Sequence, residues 1–276
     1  MPSLMFLGAS SAAGKSTISA IVCRLLSRRG HDVVPFKTLN LSLNSFVDKD
    51  GGEMGMSQAF QAWACGLEPE CRMNPVLIKP HGPGRLQTII AGRPVEGDDL
   101  REKAFSTALE CYESLAADHE IVILEGSGSA AEINLKKTDI ANMRTARETG
   151  SPAVIVGDID SGGVFAGIYG TYMLLEPEDR KLVKGFIINR FRGDDSILGP
   201  AITKIEELTG MRCLGVMPYL PVRLPSEDSL DMSGGGELSG TDVRQAWMDN
   251  LERLVDVAEK SLNIDVIMSI LEGSSA

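Results

Sequence analysis

Short apolar segments alternate with helix-length amphipathic segments along most of this chain. Six apolar segments are short and carry few polar residues, as expected for strands buried on both faces: Leu4 to Leu7, Val33 to Phe36, Ile121 to Leu124, Ala153 to Val156, Val183 to Ile188 and Leu214 to Met217. Helical spacing predicts helices over Lys15 to Arg29, Gly55 to Cys65, Leu100 to Ala117, Asp139 to Glu148, Val164 to Leu175 and Asp195 to Leu208. This alternation predicts an α/β fold with a doubly wound, mainly parallel sheet. Ligands of such sheets bind beyond the carboxyl ends of the strands.

Two regions interrupt the alternation. Residues Asn40 to Pro94 are mostly polar and show little strand signal beyond Gln87 to Ile90, and a connection of this length is usually functional or contains small elements of its own. A Gly/Ser-rich stretch at 234–240 precedes two amphipathic segments, Asp242 to Lys260 and Ile264 to Leu271. We therefore expect one large domain over residues 1–233, a linker over 234–240 and a helical tail over 241–276.

Composition argues against several classes of function. The net charge of -11 and the pI of about 4.8 provide no basic field for nucleic acid or for an acidic membrane surface. The chain has no apolar run of about 18 residues and no signal segment, so we expect a cytoplasmic protein. Five dispersed cysteines without CxxC spacing and three dispersed histidines argue against a disulfide framework and a zinc site.

The segment from Gly8 to Ser16 has the pattern G-x5-G-K-S between a predicted strand and a predicted helix, one residue longer than the common phosphate loop. Small residues allow successive backbone N–H groups to surround a phosphate at the positive end of the helix. Lys15 is expected to contact the outer phosphates, and the Ser16 hydroxyl to bind Mg²⁺. The pattern predicts an ATP site formed by Gly8, Ser10, Ser11, Ala12, Ala13, Gly14, Lys15, Ser16 and Thr17.

The longer loop, without an early lysine, resembles the dethiobiotin-synthetase-like branch of the P-loop NTPases rather than the partition-type ATPases. Several further segments, spread in order over residues 5–230, are similar to the synthetase domain of the cobyric acid synthase family: "FKTLNLSLNS", "DGGEMGMSQAFQA", "MNPVLIKP", "EGSGSAAEINL", "DIANM", "DIDSGGVFAGIYGT", "INRFRGD", "LGVMPYL" and "EDSL". The resemblance implies ATP-dependent amidation of peripheral carboxylates on a corrin ring, from cobyrinic acid a,c-diamide to cobyric acid, through an acyl phosphate.

Full-length members of that family also carry a glutaminase domain, with a nucleophilic cysteine and a histidine, that releases ammonia from glutamine. This sequence has no cysteine or histidine after Cys213. We therefore expect ammonia to come from a separate class I glutaminase subunit or from solution. A homodimer is left open.

The resemblance also assigns residues to the chemistry. Lys15 and Lys37 would neutralise the transferring phosphoryl group. Ser16, Glu53 and Glu125 would bind Mg²⁺, which prefers oxygen ligands. A metal partner would explain Glu125 in particular, because this carboxylate ends a buried strand. For Lys37 a surface lysine, and for Glu53 a charge at a helix start, are the alternatives.

Further polar residues follow the predicted strands. Asn189 would bond the adenine edge and Arg190 would lie near the nucleotide, although Asn189 also suits a strand-end turn. Asp160 would position the reacting acid or attract ammonium, with a helix cap as the alternative. The segments also contain residues expected to line the corrin pocket or to fix its loops: Asn40, Asn44, Gln58, Asn74, Lys79, Glu132, Asn134, Asp139 and Asn142.

Two other functions remain open at this point. The helical tail resembles the end of the synthetase domain in corrin a,c-diamide synthases, which indicates that a related tetrapyrrole is an alternative substrate. A nucleotide-dependent regulatory or cofactor-handling protein without turnover is the alternative from a different class.

Overall fold

The computed structural model describes residues 1–81, 85–97, 100–135, 138–225 and 242–273. The strands are β1 Ser3–Gly8, β2 Val33–Phe36, β3 Leu39–Leu41, β4 Ser45–Val47, β5 Glu53–Gly55, β6 Val76–Pro80, β7 Leu86–Ile90, β8 Arg93–Val95, β9 Ile121–Glu125, β10 Ala153–Asp158, β11 Val183–Phe191 and β12 Arg212–Pro218. The helices are α1 Lys15–Arg28, α2 Met56–Ala64, α3 Arg101–Asp118, α4 Met143–Thr149, α5 Val164–Leu174, α6 Pro177–Arg180, α7 Gly199–Thr209, α8 Asp242–Ser261 and α9 Ile264–Leu271. Two 3₁₀ turns occur at Cys71–Met73 and Asp195–Leu198.

Six strands form the central sheet in the order β12-β11-β10-β1-β9-β2, and every neighbouring pair is parallel. These are the six strands predicted from the apolar segments, so the doubly wound parallel sheet is confirmed. Pro35 lies in β2 at the edge of the sheet, where its missing N–H removes no ladder bond to an outer neighbour. The parallel register brings the carboxyl ends of the strands to one edge.

The central sheet is covered on both faces, which explains why its strands lack polar alternation. All six residues of β1 are buried. Leu4 and Phe6 pack in a cluster with the apolar residues of α1, whereas Met5 and Leu7 pack in a second cluster with those of α3. Because successive side chains of a strand point to opposite faces, both sets have to be apolar.

The long polar region before α3 contains a second sheet, with the order β3-β6-β7-β8, and a two-stranded β4-β5 ribbon. The apolar pattern predicted only the β7 part of it. Most of the other strands have three residues, which is too short to display a two-residue period. This region joins the central sheet directly, because the Lys37 N–H donates to the Met73 carbonyl at 2.9 Å.

Two helices begin later than predicted, and an aspartate explains each difference. The Asp139 carboxylate accepts the N–H groups of Ala141 and Asn142, which forms a turn before α4 begins at Met143. The Asp194 carboxylate accepts the Ser196 N–H and starts a 3₁₀ turn before α7. Aspartate side chains compete in this way with helical backbone bonds.

The two tail helices were predicted and are present, and they pack on the sheet. Leu251 and Val255 of α8 are fully buried, and Glu252 pairs with Arg24 of α1 at 2.6 Å. The backbone of Gly215 bridges to Leu262 between α8 and α9. The linker predicted at 234–240 lies outside the described residues, so the division into domain, linker and tail stays a prediction. Within the described ranges, no helix has the length and apolar character needed to cross a membrane.

We predict that Gly215→Ala destabilises the protein by detaching the tail. Gly215 has φ of +141°, and a Cβ there would lie 2.2 Å from the Ser261 carbonyl oxygen and 2.9 Å from the Leu262 Cα. Because both contacts are to backbone, they cannot be relieved by a rotamer change. We expect the free energy of unfolding, measured by urea denaturation, to fall by about 2–4 kcal/mol.

The matched control is Gly170→Ala in α5. A Cβ at Gly170 meets no atom within 4 Å, and an alanine in a helix interior is favoured over glycine by about 1 kcal/mol. This variant should be neutral or more stable. An equal loss in both variants would contradict the packing argument.

Candidate functional site

The loop from β1 to α1 turns sharply at the carboxyl edge of the central sheet. Ala12 and Gly14 have left-handed backbone conformations, with φ of 56° and 92°. Within the part of the chain that the structure describes, no side chain caps the start of α1, and the first turn of this helix contains no acidic residue. The positive end of the helix is therefore available to an anion, as the sequence pattern predicts.

Lys15 folds back over this loop instead of extending into solvent. Its side chain is buried, and its ammonium donates to the Gly128 carbonyl at 2.8 Å. A Cβ at Gly8 would lie 2.8 Å from the Lys15 Nζ and 2.9 Å from the Gly128 oxygen. Glycine is therefore required at position 8 for the lysine to occupy this place. The ammonium is held beside the loop that would hold phosphates.

Glu125 is the centre of the hydrogen-bond network at this edge. It ends β9, is 1% exposed, and uses both carboxylate oxygens. Oε1 accepts from the Lys37 ammonium at 2.7 Å and from the Ser16 hydroxyl at 2.8 Å. Oε2 accepts from the amides of Gln61 at 2.7 Å and Gln58 at 3.4 Å. These donors compensate the burial of a charge that would otherwise be strongly unfavourable.

The Ser16 hydroxyl and the Glu125 carboxylate suit a magnesium ion. Both offer hard oxygen atoms, and they are adjacent. A hydroxyl that donates its proton to a carboxylate keeps its lone pairs for a cation. The structure thus brings together two of the three predicted metal ligands, Ser16 and Glu125, and places Lys37 beside them. Lys37 is 1% exposed, so the alternative that it is a surface lysine is excluded.

The third predicted ligand, Glu53, has different partners. Its carboxylate forms an ion pair with Lys79, and Lys79 also donates to the Ser45 hydroxyl at 3.2 Å. Burial raises the pKa of Glu53, but the hydrogen bonds from Lys79 and Ser45 outweigh it and hold the pKa below its usual range. The ion pair of Glu53 thus connects β5 to Lys79 on β6. Metal binding by Glu53 stays a prediction.

Three of the predicted substrate residues, Asn40, Gln58 and Asn74, are buried amides that fix the loops around Lys37. The Asn40 amide donates to Gln58 Oε1 at 3.2 Å. The Asn74 amide donates to the Lys37 carbonyl at 2.9 Å and accepts the Gly55 N–H at 2.9 Å. These bonds connect β2 to the start of α2, so they fix the backbone that carries the catalytic lysine candidate.

Asp139 and Asn142 fix the loop after β9 from the other side. The Asn142 amide donates to the Ser127 carbonyl at 2.9 Å. Burial raises the pKa of Asp139, and the hydrogen bonds from Ala141 and Asn142 offset this only in part. The remaining predicted substrate residues are the half-buried Asn44 and the exposed Glu132 and Asn134.

Asn189 clamps the phosphate loop. Its amide donates to the Ala13 carbonyl at 3.0 Å, and its Oδ1 accepts the Arg190 N–H at 3.0 Å. A Cβ at Gly14 would lie 2.1 Å from the Asn189 Nδ2, so a glycine is needed there. Arg190 has φ of 63° and pairs with Asp158 at 3.0 Å. Such a strained conformation persists only where the surroundings hold it. The contact of Asn189 with adenine and the position of Arg190 near the nucleotide stay predictions.

Asp160 lies at the surface, paired with Arg192 at 2.7 Å. The Arg192 guanidinium holds the pKa of the Asp160 carboxyl below its usual range. The same guanidinium stacks on the Tyr219 ring at 3.4 Å from the centroid. Asp160 therefore joins the loops after β10, β11 and β12, and its catalytic role stays a prediction.

Two residues of this edge were not predicted from sequence. Gln61 follows Gln58 by three residues and so shares its helix face, which is a signal the sequence does contain. Asp158 ends β10 and accepts hydrogen bonds from Arg190 and from the Asp160 N–H. A carboxylate at the end of a buried strand is the corresponding signal for Asp158.

Comparison with known proteins also indicates a nucleotide-binding domain. Residues 4–230 match the CbiA family model, described as the CobQ/CobB/MinD/ParA nucleotide binding domain. The chain is 49% identical to a probable cobyric acid synthase of Archaeoglobus fulgidus over 244 residues, which are 86% of this chain and 52% of the relative. It is 44% identical to the cobyric acid synthase of Carboxydothermus hydrogenoformans over 272 residues, 96% of this chain and 51% of the relative.

The chain spans about half the length of the curated relatives it matches. Among solved structures, chloroplast FtsY from Physcomitrella patens aligns with a TM-score of 0.46 and 15% identity, over 91% of this chain and 65% of that one. The parallel sheet, the phosphate loop and the family match agree with the predicted P-loop NTPase fold. The chain belongs to the CobQ/CobB/MinD/ParA nucleotide-binding domain family.

Proposed function

We propose that this chain catalyses the ATP-dependent amidation of peripheral carboxylates on a corrin ring, from cobyrinic acid a,c-diamide to cobyric acid. The observation that supports it most is the cluster of Ser16, Lys37 and Glu125 beside the phosphate loop, with the Lys15 ammonium held over that loop. The names of the relatives support the corrinoid substrate and a place in cobalamin biosynthesis.

The chemistry requires activation of an unreactive acid. A carboxylate oxygen of the substrate attacks the γ-phosphorus of ATP. The bond between this phosphorus and the oxygen that bridges it to the β-phosphorus breaks, so ADP leaves and an acyl phosphate is formed on the substrate. Ammonia then attacks the acyl carbon, inorganic phosphate leaves with its electron pair, and the nitrogen loses a proton. The first step depends mainly on positioning and on neutralising charge on the transferring group.

The chain's own residues provide that positioning. Lys15 and Lys37 are two buried ammonium groups fixed by the Gly128 carbonyl and by Glu125. Ser16 and Glu125 would hold Mg²⁺, which when bound neutralises phosphate charge. Asn189 fixes the loop through the Ala13 carbonyl. Preformed charges of this kind stabilise a transition state without reorganisation at the moment of reaction.

Ammonia would come from a separate class I glutaminase or from solution, and the macrocycle would approach from the second sheet. The ammonium of Lys79 on β6 would bind a substrate carboxylate. In this structure the same ammonium forms an ion pair with Glu53. Asp160 would attract ammonium from the opposite side. A related tetrapyrrole, or a nucleotide-dependent regulator without turnover, remains the competing interpretation.

We predict that the purified chain amidates a corrinoid acid when it is given ATP, Mg²⁺ and an ammonium salt. Each amidation replaces a hydroxyl by an amino group, so mass spectrometry of candidate tetrapyrrole acids counts the products directly. Glutamine in place of ammonium should give no product. Nucleotide binding without any mass change would instead support the regulatory interpretation, and product from glutamine alone would refute the external source of ammonia.

We further predict that Lys15→Ala lowers kcat by about 10²–10³-fold or more, because a preorganised charge on the transferring group is lost. The control is Lys204→Ala in α7, an exposed lysine whose contact with Glu207 is 3.6 Å long. It should leave kcat and KM unchanged. A Lys15→Ala enzyme with the kcat of the parent would exclude a role in phosphoryl transfer.

A further inference from the structure

One buried amide at this edge has no part in the chemistry described above. Gln61 lies on α2 and is 1% exposed. Its Nε2 donates to Glu125 Oε2 at 2.7 Å and lies 3.3 Å from the Ser16 carbonyl oxygen. A single side chain thus touches both residues that would hold the metal.

The orientation of this amide follows from electrostatics. The reversed orientation would place Gln61 Oε1 against the Glu125 carboxylate and the Ser16 carbonyl, and three acceptors would then face one another. With Nε2 toward these groups, Oε1 is buried, and within the described part of the chain it has no hydrogen-bond partner. A buried acceptor without a donor is unfavourable unless a water or ligand satisfies it in the working state.

Gln58, one turn earlier on the same helix, does not duplicate this contact. Its bond to Glu125 Oε2 is longer, 3.4 Å, and its own oxygen accepts from Asn40. The other carboxylate oxygen, Oε1, is taken by Lys37 and Ser16. Of the two α2 amides that donate to Oε2, Gln61 therefore makes the shorter hydrogen bond, so it restrains the orientation of the carboxylate plane more than Gln58 does.

We propose that Gln61 is a positioning residue for the divalent cation. It turns Glu125 so that Oε1 lies beside the Ser16 hydroxyl, and it fixes the backbone of Ser16 at the same time. This inference rests on the proposed magnesium role of Ser16 and Glu125, and it does not depend on the identity of the acid that is amidated. Residues that orient metal ligands typically change metal affinity by about 10–100-fold when they are replaced.

The test is Gln61→Met, which keeps the length of the side chain and removes its hydrogen bonds. Binding of a fluorescent ATP analogue is followed by anisotropy while Mg²⁺ is titrated, and binding is repeated in EDTA. We expect the half-saturating Mg²⁺ concentration to rise by about 10-fold or more. Affinity for the analogue in EDTA should change little, because among the described residues the hydrogen bond that Gln61 makes to the phosphate loop goes to a backbone carbonyl, that of Ser16, and not to a group that would bind phosphate.

The matched control is Ser3→Ala, which also removes a buried hydrogen bond, 2.8 Å long, to Ser151 at the amino end of the sheet. Both variants should lose stability, but only Gln61→Met should need more Mg²⁺. An unchanged Mg²⁺ requirement in Gln61→Met, or an equal rise in Ser3→Ala, would overturn the proposal. Because no corrinoid is present, a failure of the amidation assay would leave this measurement unaffected.

Discussion

The buried carboxylate of Glu125 is the constraint on which the rest of this site depends. A charge at the end of a buried strand is tolerated only if donors surround it, and here they come from three separate segments. Ser16 belongs to the phosphate loop and α1, Lys37 follows β2, and Gln58 and Gln61 belong to α2. The hydrogen bonds to this one carboxylate therefore hold the nucleotide loop, a catalytic lysine candidate and α2 in one arrangement.

The parallel sheet makes this convergence possible. Phe6 pairs with Glu125, and Asp158 pairs with Asn189, so the ends of β1, β9, β10 and β11 meet at one edge. From there Asn189 reaches the loop at Ala13. The loop is thereby held from two sides, by Glu125 through Ser16 and by Asn189 through its backbone. A nucleotide would meet a preformed cradle, which reduces the reorganisation that binding requires.

Much of the fold was predictable because it is encoded locally. Strands buried on both faces must be continuously apolar, and all six were identified from that property alone. The helix starts at Met143 and Gly199 were missed, because aspartates upstream bond nearby N–H groups in place of a helical turn. The three-residue strands of the second sheet were missed because they are too short to show a period.

By itself the sequence determined the parallel sheet, the phosphate loop and the identity of Lys15, Ser16, Lys37 and Glu125 as candidates, since strand ends and glycine spacing are local features. Only the tertiary structure decided the partners. It paired Glu53 with Lys79 and Asp160 with Arg192, and it placed Gln61 against Glu125. The physical reason is that a carboxylate accepts a hydrogen bond from whichever donor the packing brings within about 3 Å. Packing brings together residues that are far apart in the chain, so the sequence alone does not identify the donor.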